Sequence, residues 1–280
     1  RVAMNGEFTR RAFLNGNIDL TQAEGLNDLI NAETEAQFQA STRQYNGILT
    51  NKIDKWRHEI ISLSSKLEAL IDFSDEELPT DLELDFKEKV LKLIGEKEES
   101  LKFSSYGSRI RSGFVITLIG KPNVGKSSLI NFLSKKQVSI VTNEAGTTRD
   151  IIEVLLDFKG YPIILNDTAG IRLSTSEVEN IGIKNAIDKA NSSDIILLLS
   201  DKKDFSFDQI DSKAKKILIH TKCDLLSYKK KGVIEVSTKR EETIDKLIDV
   251  IVDHLESMSP KNNIILTRER HVQAVRNALN

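Results

Sequence analysis

Residues 120–127 read Gly-Lys-Pro-Asn-Val-Gly-Lys-Ser, which is the spacing G-x-x-x-x-G-K-[ST] of a phosphate-binding loop, or P-loop. Its two glycines let the backbone turn so that successive N–H groups point at phosphate oxygens. The apolar run 114–119 predicts a buried strand before the loop, and residues 128–133 predict a helix after it. In this setting we expect Lys126 to reach the β- and γ-phosphates of a nucleotide and Ser127 to offer a hydroxyl to Mg²⁺.

Two segments further along the chain extend this prediction to the metal ion. The run Asn-Asp-Thr-Ala-Gly at 166–170 follows an apolar strand pattern, so Asp167 is placed to hold Mg²⁺ through water and the Gly170 N–H to meet a γ-phosphate. The run Gly-Thr-Thr-Arg-Asp at 146–150 lies between the P-loop and Asp167, where a switch loop supplies a second hydroxyl to Mg²⁺. Thr148 is the first choice for that hydroxyl and Thr147 the alternative.

The last two segments predict which base is bound. Thr-Lys-Cys-Asp at 221–224 and Ser-Thr-Lys at 237–239 each follow a strand pattern. The Asp224 carboxylate can accept from N1–H and the 2-amino group of guanine together, whereas adenine would leave this acceptor unpaired at a cost of several kcal/mol. GTP and GDP are therefore the predicted ligands. Their predicted contacts are Asn123, Val124, Gly125, Lys126, Ser127, Ser128, Thr147, Thr148, Asp167, Gly170, Thr221, Lys222, Asp224, Ser237, Thr238 and Lys239.

Composition limits the class and the compartment. The 280 residues are 39% hydrophobic, which suits a globular protein with a core, and no apolar run approaches the length that spans a bilayer. A net charge of −2 favours no global attraction to nucleic acid. The single cysteine, Cys223, excludes internal disulfides and fits a reducing cytoplasm. We therefore expect a cytoplasmic protein that does not enter a membrane.

Periodicity predicts two kinds of structure. Residues 1–107 have helical patterns, among them an apolar stripe on one helix face that places Trp56 in a core. The stretch Gly107–Gly113 is a linker by composition. Residues 114–258 alternate strand and helix patterns, which predicts an α/β fold with a mostly parallel sheet and helices on both faces. Residues 267–280 are helical again.

Several of these runs resemble a known group of GTPases. Residues 120–131, 146–150 and 167–172 are similar to the bacterial TrmE–Era–EngA group, and two further runs resemble the MnmE (TrmE) family of tRNA-modification GTPases. These are Ser-Glu-Val-Glu-Asn-Ile-Gly-Ile at 176–183 and Gly-Glu-Phe-Thr-Arg-Arg-Ala-Phe-Leu-Asn-Gly at 6–16. The resemblance implies a P-loop GTPase domain, 108–258, inserted in an all-α helical domain made of 1–107 and a returning segment, 259–280.

The family resemblance also implies a mechanism. Ile171 stands where Ras-like proteins carry a water-orienting glutamine, and the family uses a glutamate that aligns with Glu179. From the residues alone, Glu179 is equally a helix-start carboxylate. The family places K⁺ beside the phosphates, held by a P-loop asparagine, here Asn123, and by the loop Thr142–Thr147, with Thr142 and Thr147 as its ends. Glu179 and Lys126 are thus the expected catalytic residues.

The resemblance implies partners as well. MnmE proteins modify the wobble uridine of certain tRNAs with a flavoprotein partner, MnmG/GidA, and form a homodimer whose G domains meet during hydrolysis. The family also carries an N-terminal folate-binding domain and a C-terminal Cys-x-Gly-Lys end, and neither pattern is found in residues 1–280. We therefore expect the chain to be part of a longer protein.

Two alternatives stay open at this point. The first is an Era- or EngA-type ribosome-assembly GTPase, although residues 1–107 resemble no part of those proteins. The second is a scaffold that binds GTP without hydrolysing it. Thr221 favours the second, because it replaces the asparagine of the usual guanine motif Asn-Lys-x-Asp, and a hydroxyl cannot span what a carboxamide spans.

Overall fold

The computed structural model divides the chain into a helical unit and a sheet-containing unit. The helical unit comprises Arg1–Arg111 with Ser259–Asn280, and the sheet unit comprises Ser112–Met258. The structure describes residues 2–72, 81–136, 153–167, 192–202, 214–226, 230–258 and 266–279.

Seven helices of the described residues belong wholly or mainly to the helical unit. They are α1 (Glu7–Leu14), α2 (Leu20–Ile30), α3 (Glu35–Tyr45), α4 (Ile48–Asp72), α5 (Asp81–Lys102), α6 (Ser104–Ser112) and, after the sheet unit, α9 (Glu269–Asn277). Capping boxes begin two of them, since Asp19 pairs with Gln22 at α2 and Thr34 with Gln37 at α3. These reciprocal hydrogen bonds explain why the chain enters each helix at that residue.

The core of the helical unit joins parts of the chain that are far apart in sequence. Buried side chains of α4 and α5 pack with Leu266 and with two residues of α9, Val272 and Val275. Trp56 lies in this core with 4% of its surface exposed, as predicted. The described residues after 265 therefore complete the hydrophobic core of the helical unit.

Two details of the predicted helical part are wrong. Among the stripe residues of α4 whose side chains the structure describes, Trp56 and Leu63 are buried, whereas Ile53, Ile60 and Leu67 are each at least 40% exposed. The helix buries a narrow seam rather than the whole stripe. The predicted linker Gly107–Gly113 is instead helical up to Ser112, because the side chains of Tyr106 and Ile110 and the backbone of Gly107 are buried and hold α6 in place.

The described residues of the sheet unit form a six-stranded mixed sheet. Its strands are β1 (Phe114–Gly120), β2 (Glu153–Phe158), β3 (Tyr161–Asp167), β4 (Ile195–Ser200), β5 (Lys215–Thr221) and β6 (Val233–Val236). They lie in the order β2-β3-β1-β4-β5-β6, and every neighbouring pair is parallel except the β2–β3 hairpin. The predicted α/β class with a mostly parallel sheet is confirmed.

Two described helices accompany this sheet. α7 (Lys126–Lys136) follows β1 directly, and α8 (Glu241–Ser257) closes the unit with a buried face of aliphatic residues. Lys136 at the end of α7 forms ion pairs with Glu241 and Asp245 of α8. The strand-loop-helix order β1-loop-α7 is the one that the P-loop spacing predicts. Within the described part of the chain, no helix is both long and apolar enough to cross a membrane.

Candidate functional site

The loop between β1 and α7 curls around the side chain of Lys126. The lysine is 9% exposed, and its Nζ donates to the carbonyl oxygens of Gly120 at 2.7 Å and Lys121 at 3.0 Å. Two residues of the loop have positive φ, Asn123 at 59° and Gly125 at 103°. The loop leads into α7, whose first residue is the buried Lys126.

Gly120 is required at the end of β1 because the neighbouring strand approaches it closely. A Cβ on this residue would lie 2.6 Å from the backbone oxygen of Leu199 in β4 and 2.9 Å from the Val124 side chain. The first glycine of the motif thus allows the loop to pack on the sheet, while Gly125, with its positive φ, allows the turn into α7.

A second part of the site lies at the ends of β5 and β6. The Asp224 carboxylate accepts a hydrogen bond from the Ser237 hydroxyl at 2.7 Å and forms an ion pair with Lys239 at 3.1 Å. These two contacts hold the pKa of Asp224 below its ordinary value, the Ser237 bond having the larger effect. Thr243 in turn accepts from the Ser237 backbone N–H at 2.9 Å. The carboxylate, on the loop after β5, is therefore charged and held by two side chains of the loop after β6.

Two neighbouring residues tie this part to the P-loop. Thr221 is 5% exposed, and its hydroxyl lies 2.7 Å from the carbonyl oxygen of Val124. The Nζ of Lys222 donates to the carbonyl oxygen of Asn123 and to Asp201, each at 2.8 Å. The hydrogen bond to Lys222 also lowers the pKa of Asp201.

These elements enclose one cavity of about 230 Å³. Residues of the β1–α7 loop, Val124 and Gly125, line one side of it, and the anionic carboxylate of Asp224 lines the other. Its lining residues are Val124, Gly125, Ser128, Leu129, Thr221, Lys222, Asp224, Leu225, Val236, Ser237, Thr238 and Lys239. Cys223 is buried beside it, and burial raises the pKa of its thiol, which does not favour a nucleophilic role.

The predicted magnesium residues are only partly covered by the described ranges. Ser127 and Ser128 are exposed in the first turn of α7, and Asp167 ends β3 opposite Leu118 of β1. The β1–β3 pairing therefore places the backbone of Asp167 next to β1, the strand that leads into the P-loop. Thr142, Thr147, Thr148, Gly170 and Glu179, the remaining predicted site residues, lie outside the described residues.

The chain matches a known protein family. The family model described as the MnmE helical domain matches residues 20–280, which is most of the chain. The chain belongs to the MnmE family.

Curated MnmE proteins are similar along the entire chain. The tRNA modification GTPase MnmE of Paramagnetospirillum magneticum is 40% identical over 292 residues, and that of Rickettsia prowazekii is 41% identical over 295 residues. Each comparison covers 100% of this chain, which spans 66% of the length of either relative. Among solved structures, the G domain of the T. maritima FeoB iron transporter aligns at 24% identity with a TM-score of 0.40, covering 51% of this chain and 99% of that one.

Sequence reasoning about this MnmE chain missed three residues around the cavity. Asp201 holds Lys222, Ser200 offers its carbonyl oxygen to Thr221 at 3.3 Å, and Thr243 supports Ser237. Ser200 and Asp201 are polar residues at the carboxyl end of the buried strand β4, and that position was a usable signal because ligands of parallel sheets bind at this edge.

Proposed function

We propose that the chain binds GDP and GTP in this cavity and hydrolyses GTP, as the nucleotide-driven part of an MnmE protein that acts in modification of the tRNA wobble uridine. The observation that carries the proposal is the convergence of Asp224 and the P-loop in one cavity, tied together by Thr221 and Lys222. A guanine base paired with Asp224 has its phosphates on the side of Gly125 and Lys126.

The phosphate end supplies charge rather than covalent chemistry. Lys126 contributes a buried ammonium, and the N–H groups at the start of α7 favour an anion. The hydroxyl of Ser127 and the carboxylate of Asp167, with Thr148 or Thr147, are the hard oxygen ligands that suit Mg²⁺. When bound, the ion neutralises charge on the β- and γ-phosphates.

Water attack on the γ-phosphate needs a group that orients the water. We assign this role to Glu179, because it aligns with the glutamate that the MnmE family uses and because Ile171, at the position of the Ras-like glutamine, cannot hydrogen-bond. Asn123 fits a K⁺ ligand, since its exposed side chain stands at the turn of the loop and its carboxamide oxygen is a suitable donor. Thr142 and Thr147 would bring the loop oxygens that complete this ion's coordination. K⁺ would add positive charge near the phosphates.

The biological setting follows from the family. We propose a cytoplasmic protein whose G domains pair in a homodimer during hydrolysis and which works with the flavoprotein MnmG/GidA on tRNA. A folate would bind only in a separate N-terminal domain. The domain division we propose is a helical domain of 1–107 and 259–280, with the G domain of 108–258 between its parts. Because α6 continues to Ser112, the first boundary would move from residue 107 to the end of that helix.

Calorimetry and a turnover assay test the proposal together. We expect GDP and GTP to bind with at least ~100-fold higher affinity than ADP and ATP, and GTP to be hydrolysed faster in K⁺ than in Na⁺ at equal ionic strength. Equal affinity for guanine and adenine nucleotides would contradict the base assignment. Tight GTP binding without turnover in K⁺ would favour the scaffold alternative. Glu179→Ala should retain GTP binding and lose about 100-fold in kcat.

A further inference from the structure

Thr221 occupies the position of the asparagine in the usual guanine motif, and its hydroxyl contacts only protein backbone among its described neighbours. Oγ1 lies 2.7 Å from the carbonyl oxygen of Val124 and 3.3 Å from that of Ser200. The residue is 5% exposed, so these contacts are shielded from water. Both neighbours are acceptors, and a hydroxyl has a single hydrogen to give.

This arrangement decides what Thr221 can offer a base. Guanine presents N7 and O6 as acceptors on its major-groove edge, which adjoins the pairing edge. The hydroxyl hydrogen points to a carbonyl oxygen, and the remaining lone pairs of Oγ1 cannot bond to N7. A carboxamide carries two N–H donors, so an asparagine can retain the bond to the Val124 carbonyl oxygen and still donate to the base.

Three other side-chain donors near Asp224, those of Lys222, Ser237 and Lys239, are also engaged within the protein. Lys222 donates to Asn123 and Asp201, and Ser237 and Lys239 both contact Asp224. The two donors at Asp224 flank the carboxylate that serves the N1 and 2-amino edge of guanine. The contacts of these three side chains are to protein atoms, and none of them points its donor toward the N7 edge of a bound guanine.

We propose that this cavity selects guanine without a contact to N7, so that nucleotides of 7-deazaguanine bind as tightly as those of guanine. The proposal rests on the proposed function, since it concerns the base in the same cavity. A site that donates to N7 rejects the analogue that lacks this acceptor, because its donor is left unpaired. Thr221 leaves no such donor behind, which makes it the residue that determines tolerance at position 7.

The test compares GDP with 7-deaza-GDP by calorimetry. For the wild type we expect the two dissociation constants to agree within about 2-fold. Thr221→Asn should bind GDP about 5-fold more tightly than 7-deaza-GDP, the ratio of one added neutral hydrogen bond. Thr221→Val is the matched control, because it keeps the shape and removes the hydroxyl. It should weaken both nucleotides by the same factor.

The outcomes separate this inference from the proposed function. Wild-type binding of GDP that is more than ~5-fold tighter than binding of 7-deaza-GDP overturns the inference and leaves the GTPase assignment intact. Failure of the folded wild-type chain to bind either nucleotide overturns both. The wild-type ratio decides the matter even if Thr221→Asn does not fold.

Discussion

The Ser237 hydroxyl donates a 2.7 Å hydrogen bond to the carboxylate of Asp224, and this contact joins the loop after β6 to the loop after β5. Lys239 adds a 3.1 Å ion pair to the second carboxylate oxygen. The side chain of Asp224 is 16% exposed. The carboxylate is therefore charged and oriented before a base arrives. A preorganised acceptor of this kind gives specificity because the wrong base leaves it unpaired.

Asp224→Asn should change which base is bound. The amide can donate where the carboxylate only accepts, so we expect guanine nucleotides to lose at least ~100-fold in affinity and xanthine nucleotides to gain. Calorimetry with GDP and XDP measures both. Asp253→Asn, an exposed change on α8, is the control and should alter neither affinity. A variant that keeps wild-type GDP affinity would show that Asp224 does not contact the base.

The same carboxylate predicts how base selectivity responds to pH. Because its contacts with Ser237 and Lys239 lower the pKa of Asp224 below 3.8, the charged form persists throughout the mildly acidic range. The ratio of GDP to ADP affinity should therefore be constant from about pH 7 to about pH 5. It should fall only when the pH drops below the ordinary carboxyl range. Selectivity lost near pH 6 would assign base choice to another group.

Lys126→Ala should weaken nucleotide binding far more than it affects folding. The Lys126 ammonium donates to two carbonyl oxygens of the β1–α7 loop at 2.7 and 3.0 Å. We propose that the phosphates of the nucleotide bind at this same loop and contact the ammonium. Loss of a charge-assisted bond of about 1.5–3 kcal/mol predicts roughly 10- to 100-fold weaker GDP binding. Lys135→Ala, an exposed lysine of the same helix, should bind GDP normally.

Gly120→Ala should destabilise the sheet unit. The added methyl would lie 2.6 Å from the backbone oxygen of Leu199, which cannot move without disturbing β4. We expect a loss of about 1–3 kcal/mol in the free energy of unfolding, measured with urea. Gly95→Ala in α5 is the matched control with the opposite sign. Its methyl meets no atom within 4 Å, so helix propensity should raise stability by about 0.5–1 kcal/mol.

His271 should make the stability of the helical unit depend on pH. Burial lowers the pKa of this 5%-exposed histidine, Arg270 lowers it further, and the 3.0 Å contact with Glu24 opposes them. The unfolded chain then binds the proton more readily than the folded chain. Stability is complete above the unfolded value of 6.5 and is lost as the pH falls through the lower folded value.

Urea unfolding at about pH 7.5 and about pH 5.5 checks this dependence. His271→Gln should lose part of the difference between the two midpoints that the wild type shows. His58→Gln, a change at an exposed histidine of α4, should keep the full difference. If His271→Gln and the wild type lose equal stability on acidification, the histidine does not carry the effect.

Local patterns were sufficient for the elements that form the site. The P-loop spacing, the strand before it and the helix after it follow from residues within a few positions of one another, because turn geometry and hydrophobic period are short-range properties. The positions of β5, β6 and α8 were predictable for the same reason. The base motif was also recognisable, since the choice of guanine rests on a single carboxylate, that of Asp224, which follows the strand pattern of β5.

Other features depend on contacts between distant residues, and only the tertiary structure decided them. Helix α6 continues through Gly107 and the serines of a predicted linker because its neighbours bury it. Within the described part of the α4 stripe, Trp56 and Leu63 are buried because they pack against partners in the core. Thr221 and Val124 are 97 positions apart, so no local pattern indicates their hydrogen bond. Sequence alone identified a substitution in the guanine motif, and the approach of the P-loop carbonyl determined where the replacing hydroxyl points.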